Sequence, residues 1–379
     1  LGRRSGADRL PWEASLMRVA LDAKWYHRGP AGVRTYIHNL INTLHAIDSG
    51  NEYDAYLRSH DALPELSPSE RWRFHRLWPN LSAPRVWWAL PRATRHQPVD
   101  LFFTQSLVPS TRRAPRVMTV HDVLWHDFPE HFTQRERWHF GLIDRAIQRA
   151  DHIITDSEHS RRRICETSGR AGHDVTCVPL GVSPRFAPLE SEQGREALRR
   201  RMGLPERFVL YVGRINRRKN LPNLMRAVSR LPESISLVCA GGRDWQQDDL
   251  DRALIETGVG DRVMFLGHVA DADLPGLYSL ASVFAYVPFA EGFGIPPLEA
   301  MACGTPVVVS DTTSLPEVVG DAGLRVPPTD HRAISDALTS LLSDQRLREE
   351  MVTRGRARAS RFTWQATARK VLEIWAQMA

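Results

Sequence analysis

Residues 283–310 of the chain read VFAYVPFAEGFGIPPLEAMACGTPVVVS. Their pattern predicts a strand, a loop, a short helix and a second strand in that order. The apolar runs at 283–287 and 305–310 have the length and composition of buried strands. Pro297 and Gly304 delimit the helix, because proline suits the first helical position and glycine the residue after the last. This order predicts two parallel strands connected by a covering helix.

Strands and helices alternate in the same way through the rest of the chain. Short apolar and β-branched runs predict further strands at 17–22, 101–103, 116–120, 152–155, 175–178, 208–213, 235–240 and 263–266. Runs with helical spacing predict helices at 32–44, 133–150, 192–202, 221–231, 245–257, 273–280 and 332–343. The alternation predicts an α/β protein with two doubly wound, Rossmann-like domains and a cleft between them.

A proline-containing connector near residues 183–191 separates two series of alternating elements. The length of 379 residues suits two domains of ordinary size. We therefore predict an N-terminal extension over 1–16, a first domain over 17–187, a second over 188–362 and a final helix over 363–379. Ligands of such sheets bind beyond the carboxyl ends of the strands, so we expect the functional residues in the loops that follow strands.

Composition excludes several classes of protein. A hydrophobic content of 42% and a charged content of 25% exclude a disordered or fibrous chain. The sequence contains no apolar run near 20 residues, which excludes a predicted membrane-spanning helix. The cysteines are scattered, which favours reduced thiols in a cytoplasmic protein over disulfides or a zinc site. They are Cys165, Cys177, Cys239 and Cys303.

The net charge of +6 is concentrated in one segment, residues 71–118, which holds nine arginines, four tryptophans and one acid, Asp100. One interpretation is a helix whose aromatic side chains pack inward while its arginines stay in solvent. The other is a surface that contacts anionic lipid headgroups at the inner face of the plasma membrane, or a lipid-linked acceptor. We do not expect a nucleic-acid partner, because no known binding motif accompanies the charge.

The loop after the strand at 283–287 carries the most informative candidate site. Free N–H groups at the start of a helix, with their partial positive charge, can bind phosphate. Glu291 before the loop and Glu299, expected in the first helical turn, can accept hydrogen bonds from sugar or ribose hydroxyl groups. Alternatively, Glu299 only stabilises the helix and Glu291 is a surface acid. The residues of the loop and the helix start are Gly292, Phe293, Gly294 and Ile295.

A second candidate segment follows the strand at 208–213 and precedes a helix. It contains Gly213, Arg214 and Lys219 within the run GRINRRKN. Arginine offers a planar pair of donors and lysine a point charge, and both suit a diphosphate. A basic loop of this kind is otherwise simply solvated. Its place at the carboxyl end of a strand favours the diphosphate interpretation.

These motifs together resemble glycosyltransferase family 4. The two glutamates eight positions apart resemble the E-x7-E signature of the family, and Gly213-Arg214 with Lys219 resembles its diphosphate clamp. The segments 314–323, 31–36, 119–122 and 155–160 resemble further recurring segments of the family. The likeness spans about residues 17 to 375, and its motifs are most specific in the C-terminal half.

The resemblance implies a GT-B fold with two facing Rossmann-like domains. The C-terminal domain would bind a nucleotide-diphosphate sugar, the N-terminal domain a glycan or lipid-linked acceptor, and the last helix would return to the N-terminal domain. It also implies transfer of a hexose with retention at the anomeric carbon, without a metal and without a cofactor. Asp271-Ala-Asp273 agrees with this, because it is more typical of a helix N-cap than of a metal site.

Residue roles follow from the same resemblance. Arg214 and Lys219 would stabilise the leaving diphosphate, Glu291 would orient the sugar, and Glu299 would hold the ribose. The backbone of Val269 would contact the base. His121 would lie near the sugar or the acceptor and could carry a proton. Gly32 would keep the second position of a Gly-Gly turn whose first position is Ala31 here.

The motif variant resembles mannosyl- and rhamnosyltransferases of bacterial surface-polysaccharide assembly, which favours GDP-mannose as the donor. Two alternatives stay open. One is a sugar-nucleotide epimerase or hydrolase of the same fold, and the other is a protein that binds nucleotide sugars without catalysis. A pyridoxal-phosphate-dependent phosphorylase is disfavoured, because nothing in the sequence indicates a cofactor lysine.

Overall fold

The computed structural model describes most of the chain. The described residues are 16–67, 69–243 and 248–379. The predicted extension over 1–16 lies outside them apart from Leu16, and the helix predicted over 245–257 begins outside them.

The chain divides into two compact units. The first unit contains the residues up to Gly181 together with Thr363–Ala379, and the second unit contains Val182–Phe362. The final helix, α15 (Trp364–Met378), is therefore part of the first unit although it ends the sequence.

Seven parallel strands form the sheet of the first unit. They are β1 (Arg18–Asp22), β2 (Glu52–Arg58), β3 (Trp72–Leu77), β4 (Leu101–Gln105), β5 (Arg116–Thr119), β6 (His152–Thr155) and β7 (Val175–Cys177). Their order across the sheet is β3-β2-β1-β4-β5-β6-β7. The direction of winding reverses between β1 and β4, which is the position where doubly wound sheets bind ligands. Strands β2 and β3 were not among the predicted strands.

Helices connect these strands. They are α1 (Ala31–Ile47), α2 (Ser82–Pro84), α3 (Leu90–Ala93), α4 (Leu124–Asp127), α5 (Gln134–Ile147) and α6 (Glu158–Ser168), with a π-helical segment at Arg85–Ala89. Helix α15 packs on the sheet beside α1. Trp375 of α15 is fully buried, and its ring centroid lies 5.0 Å from that of Phe103 on β4. This packing explains why the chain returns to the first unit, since it completes the apolar layer over the sheet.

The arginine- and tryptophan-rich segment is not the single helix of the first interpretation. Trp72 begins the edge strand β3 and stacks on Tyr53 with ring centroids 4.0 Å apart. Trp78 and Trp88 expose 73% and 71% of their surface, so their side chains do not pack inward. The segment forms a strand because β3 pairs in parallel with β2 and satisfies its backbone groups there.

The expectation that the arginines of this segment stay in solvent is also wrong for two of them. Arg85 is fully buried, and its Nε donates to Oδ1 of Asp22 at 2.8 Å. Its other nitrogens donate to three backbone carbonyls at the ends of β2 and β3 at 2.6–2.9 Å. Arg116 is buried and donates to Asp151 at 2.9 Å. A buried guanidinium is tolerated in both places because a carboxylate and hydrogen bonds compensate its charge.

The second unit contains a parallel sheet of six strands. They are β8 (Phe208–Val212), β9 (Ser236–Ala240), β10 (Val263–Gly267), β11 (Val283–Tyr286), β12 (Val307–Ser310) and β13 (Leu324–Val326), in the order β10-β9-β8-β11-β12-β13. Its helices are α7 (Glu192–Met202), α8 (Leu221–Val228), α9 (Asp248–Thr257), α10 (Leu274–Leu280), α11 (Ile295–Ala302), α12 (Leu315–Val319), α13 (His331–Ser343) and α14 (Gln345–Ala359). The winding reverses between β8 and β11, which places the two candidate loops at this sheet's ligand-binding position.

Two further observations bear on the sequence-based exclusions. None of the described helices is both long enough and apolar enough to cross a bilayer. All four cysteines carry free thiols, and Cys239 and Cys303 are buried.

Candidate active site

In the second unit, the two candidate loops leave adjacent strands. Strands β8 and β11 pair directly, and the loop with Gly213 and Arg214 follows β8 while the loop with Glu291 follows β11. The N–H of Phe289 donates to the carbonyl of Arg218 at 2.9 Å and joins the two loops. The sheet therefore brings together two segments that are about 70 residues apart in the sequence.

A cluster of charged and phenolic side chains lies where these loops meet. The ammonium of Lys219 donates to the carboxylate of Glu291 and to the hydroxyl of Tyr286. The Tyr286 hydroxyl donates to Oε2 of Glu291 at 2.7 Å, and Nη1 of Arg218 contacts the same oxygen at 3.4 Å. The side chain of Glu291 is only 15% exposed and that of Lys219 only 8%. Lys219 and Glu291, both predicted site residues, thus contact each other.

The charges of this cluster control the ionisation of Glu291. Burial alone would raise the pKa of this carboxyl, but Lys219 and Arg218 outweigh burial and lower the pKa to about 2. Glu291 is therefore ionised at neutral pH. Arg218 was not among the predicted site residues, although it lies in the same basic run as Arg214 and Lys219.

Arg214 lies on the exposed part of the loop after β8. Its carbonyl accepts a hydrogen bond from the Tyr211 hydroxyl at 2.9 Å. Gly213 has a φ of +153°, and a Cβ added at the neighbouring Gly241 would lie 1.9 Å from the Gly213 carbonyl oxygen. Glycine at both positions allows the two backbones to approach closely and fixes the loop that presents Arg214.

Helix α11 begins two residues earlier than predicted. Gly294 precedes it with a φ of +103°, and an added Cβ there would lie 2.5 Å from Leu315 Cδ2. The helix starts at Ile295, so Pro297 is its third residue and Glu299 its fifth, beyond the first turn. The prediction that Glu299 lies in the first turn is therefore wrong. Both prolines still fit, because the N–H groups of the first turn have no partner within a helix.

Glu299 is half-buried in the second unit. The hydroxyl of Tyr278 on α10 donates to its Oε2 at 2.9 Å. Burial raises the pKa of Glu299 to about 7, so this carboxyl is partly protonated at neutral pH. Val269, predicted to contact a base through its backbone, is buried two residues after Gly267, which has a φ of +65°.

The predicted N-cap at Asp273 is only partly right. Asp273 precedes α10, but its side chain makes no capping hydrogen bond. Its carboxylate accepts from Nη2 of Arg201 at 2.6 Å, and Asp271 lies 3.8 Å from Arg185. Within the described part of the chain, no group of three or more histidine, cysteine or acidic side chains is arranged to hold a metal ion.

In the first unit, the predicted site residues lie at the carboxyl ends of the central strands. Gly32 is exposed in the first turn of α1, and a Cβ added there would meet no atom of the described residues within 4 Å. His121 follows β5, and its Nδ1 lies 2.6 Å from Oδ2 of Asp156, which follows β6. Asp156 was not predicted, although it lies in the quoted segment 155–160. Burial opposes protonation of His121, but Asp156 outweighs burial and raises the histidine pKa.

Comparison with known proteins identifies the class to which this arrangement belongs. The model described as "Glycosyltransferase Family 4" matches residues 30–186, and the model described as "Glycosyl transferases group 1" matches residues 194–358. The fold and both matches define a glycosyltransferase. The chain belongs to glycosyltransferase family 4, which confirms the resemblance noted from the sequence motifs.

Curated relatives include transferases of mannose. The chain is similar to O-antigen chain mannosyltransferase B of Escherichia coli, with 37% identity over 255 residues, covering 66% of this chain and 67% of that protein. It is also similar to the serotype-specific mannosyltransferase WbdA of Escherichia coli, with 32% identity over 236 residues, covering 60% of this chain and 29% of that protein.

A solved structure confirms the fold. Sucrose-phosphate synthase from Thermosynechococcus elongatus superposes with a TM-score of 0.78 at 24% identity, covering 95% of this chain and 98% of that one. Two parallel sheets in two units and this similarity confirm the predicted GT-B fold with Rossmann-like domains.

Proposed function

We propose that this glycosyltransferase transfers a hexose from a nucleotide-diphosphate sugar to a glycan or lipid-linked acceptor, with retention at the anomeric carbon and without a metal or other cofactor. The leading donor is GDP-mannose. Similarity to mannosyltransferases of O-antigen assembly supports the sugar. The observation that carries the proposal is the contact of Lys219 and Arg218 with Glu291 beside the start of α11.

The cationic side chains would act on the leaving group. Negative charge grows on the diphosphate as the bond to the sugar breaks, and fixed cations stabilise that charge more in the transition state than in the ground state. The candidates are Arg214 on the exposed loop and the buried Lys219 beside Glu291, with Arg218 as an addition from the structure. Backbone N–H groups at the start of α11, around 292–295, extend the same positive environment.

The two glutamates would hold the neutral parts of the donor. Glu291, ionised and fixed by Tyr286, would accept hydrogen bonds from sugar hydroxyls and orient the ring. Glu299, with Tyr278 beside it, would bind the ribose hydroxyls, and the backbone at Val269 would contact the base. Glu291 suits this work because an ionised acceptor makes hydrogen bonds about twice as strong as a neutral one.

No protein nucleophile is assigned in this proposal. The acceptor hydroxyl would attack from the same face as the departing diphosphate, whose oxygen takes the proton of that hydroxyl. The new bond then forms on the side of the ring from which the old bond leaves, so the anomeric configuration is kept.

The donor can be identified by thermal shift against GDP-, UDP-, dTDP- and ADP-sugars. A ligand that binds the native state raises its stability by mass action, and we expect GDP-mannose to give the largest rise in Tm. A donor-only incubation followed by NMR separates transfer from the alternatives, because an epimerase or hydrolase would consume the donor without any acceptor. Transfer assays with and without EDTA test the metal-independent mechanism, which predicts equal rates.

We also propose that the first unit contacts anionic lipid at the cytoplasmic face of a membrane. Three large apolar side chains between β3 and α3 are about 70% exposed, namely Trp78, Leu81 and Trp88. Arg92 and Arg95 of the same segment are also exposed. Exposed tryptophans and arginines suit the boundary between headgroups and acyl chains. Co-sedimentation with phosphatidylglycerol vesicles should exceed that with phosphatidylcholine vesicles. The double variant R92A/R95A should remove the difference, and W78A/W88A should lower binding to both kinds of vesicle.

A further inference from the structure

A histidine–carboxylate pair lies at the carboxyl ends of two adjacent strands in the first unit. Strands β5 and β6 pair in register, with Thr119 opposite Ile154. His121 and Asp156 each lie two residues further on, so both side chains point to the same face of the sheet. Their 2.6 Å contact joins Nδ1 of the imidazole to Oδ2 of the carboxylate. The sheet therefore fixes this pair, and no long loop is involved.

The contact determines which nitrogen of His121 carries hydrogen. A carboxylate can only accept a hydrogen bond, so Nδ1 must donate to it. In the neutral ring the other nitrogen, Nε2, then holds a lone pair and is an acceptor. Nε2 is buried and has no hydrogen-bond partner among the residues that the structure describes.

The surroundings hold the ring in place. Tyr36 of α1 meets the imidazole edge-on with centroids 5.1 Å apart, and its hydroxyl lies 3.0 Å from Thr119 Oγ1. The charged groups that act on His121 are Asp156 and the adjacent Asp122, both acids. Two carboxylates disfavour an anionic ligand at this position, so a neutral group is the better partner for Nε2.

Gln105 adds an independent sign of a neutral polar ligand. It ends β4 opposite Thr119 of β5, so its side chain points to the same face as His121. Gln105 is 6% exposed, and neither its amide oxygen nor its amide nitrogen has a hydrogen-bond partner within the described ranges. Leaving such groups unpaired costs about 1–3 kcal/mol each. An amide that both donates and accepts matches hydroxyl groups, which do the same.

We propose that Asp156 is a positioning residue: it fixes His121 so that Nε2 accepts a hydrogen bond from a hydroxyl group of the saccharide that the first unit binds, with Gln105 binding a neighbouring hydroxyl. This inference rests on the proposed sugar transfer and adds the residue that orients the histidine. Protonation of Nε2 removes its lone pair, so binding and turnover require the neutral ring.

The tautomer can be measured directly on the wild-type protein. Histidine labelled with ¹⁵N and observed through two-bond ¹H–¹⁵N correlations distinguishes a protonated Nδ1 from a protonated Nε2, and H121N assigns the signal. We expect Nδ1–H with bare Nε2 in the wild type at pH 8. We expect loss of that preference in Asp156→Asn, because the amide can donate to Nδ1. A wild-type signal of Nε2–H overturns the proposal without any assay of transfer.

Kinetics with a matched control complete the test. Asp144 lies 2.9 Å from His126 in the same unit and forms a second histidine–carboxylate pair on partly exposed side chains. Asp156→Asn should lower kcat more than tenfold and move the acid limb of the pH profile to lower pH, since the carboxylate no longer favours the protonated ring. Asp144→Asn should change kcat less than twofold. Both variants should keep the thermal shift with GDP, which the proposed function assigns to the second unit.

The outcomes separate this proposal from the proposed function. If Asp156→Asn keeps wild-type turnover and pH profile, the positioning role is wrong while sugar transfer stands. If the wild type binds and transfers no nucleotide sugar but shows the expected tautomer, the transfer proposal fails and the geometry of the pair stands. If Asp156→Asn does not fold, the proposal is tested by the tautomer of the wild type and by Asp156→Glu. The longer carboxylate of that variant should keep the Nδ1–H form and part of the activity.

Discussion

The carboxylate of Glu291 and the ammonium of Lys219 are in direct contact at the junction of the loops that follow β11 and β8. Tyr286 joins both, since its hydroxyl accepts from Lys219 and donates to Glu291. An ionised acid beside a cation separates two tasks within a few ångströms: the cation can attract a diphosphate and the acid can accept hydroxyl groups of the attached sugar.

Glu291→Ala should abolish transfer while nucleotide still binds. The variant removes the acceptor for sugar hydroxyls but leaves Lys219 and Arg218 for the phosphates. Transfer from GDP-mannose and the Kd of GDP by calorimetry are the two measurements. An equal loss of GDP affinity would move Glu291 away from the sugar.

Arg214→Ala should reduce turnover more than tenfold with the fold intact, because a cation near the leaving diphosphate stabilises the transition state. The matched control is Arg217→Ala, which removes an exposed arginine three residues away in the same loop. Circular dichroism checks the fold of the two variants, and initial rates measure their turnover. Wild-type turnover in Arg214→Ala would remove this residue from the diphosphate clamp.

Glu299→Gln should stabilise the protein at pH 8 and have no effect near pH 4.5. The folded-state pKa of Glu299 is about 7, against 4.5 for an ordinary glutamate, so its ionisation opposes folding as pH rises between these values. The gain at pH 8 should approach about 3 kcal/mol, since one pKa unit corresponds to about 1.4 kcal/mol. Urea unfolding of the wild type and of Glu299→Gln at several pH values measures this difference in the free energy of unfolding. A difference that does not vary with pH contradicts the raised pKa.

Gly32→Ala should leave the fold unchanged and lower activity. Within the part of the chain that the structure describes, a Cβ at this position meets no atom within 4 Å, and alanine favours a helix by up to about 1 kcal/mol over glycine. Lost activity in a variant of equal or higher Tm would mean that a ligand approaches the start of α1 closely. Unchanged activity would show that glycine is not needed there.

Gln105→Met should raise Tm or leave it unchanged and weaken binding of the acceptor. Methionine has a similar volume, and it replaces two buried polar atoms that have no partner among the described residues. The control Gln134→Met changes an exposed glutamine on α5 and should alter neither property. Differential scanning fluorimetry and the acceptor KM give the two readouts. A lower Tm with an unchanged KM would assign Gln105 a purely structural role.

The apolar pattern of the sequence predicted the strands that consist mainly of apolar residues. It did not predict strands whose polar side chains are buried through contacts with residues distant in sequence. Strand β2 reads EYDAYLR and carries Asp54, yet it lies inside the sheet, between β3 and β1. Asp54 is buried because Arg18 and His75 donate to it at 2.6 and 2.7 Å. Neither partner is close in sequence, so β2 was not among the predicted strands.

The residues of the candidate site also fall into a predicted group and a group that the sequence did not indicate. Residues that lie in compact motifs, such as Glu291, Glu299 and Lys219, were predicted from spacing and resemblance, and the structure brings Lys219 and Glu291 into contact. Tyr286, Tyr278 and Asp156 were missed, because a tyrosine within a strand or helix is indistinguishable from a core residue in the sequence. The register between adjacent strands brings Asp156 to His121, and register is a property of the sheet, not of either segment.

The enclosed pair of Arg85 and Asp22 ties together two positions that are 63 residues apart. Replacing only one of the two residues would leave an unpaired charge in the interior, which costs several kcal/mol of stability. Replacing both with apolar residues of matching volume would be tolerated. Homologous sequences should therefore contain both charged residues or neither of them. The arginine at position 85 is therefore a requirement of the fold, even though the tryptophan three residues later, Trp88, is exposed.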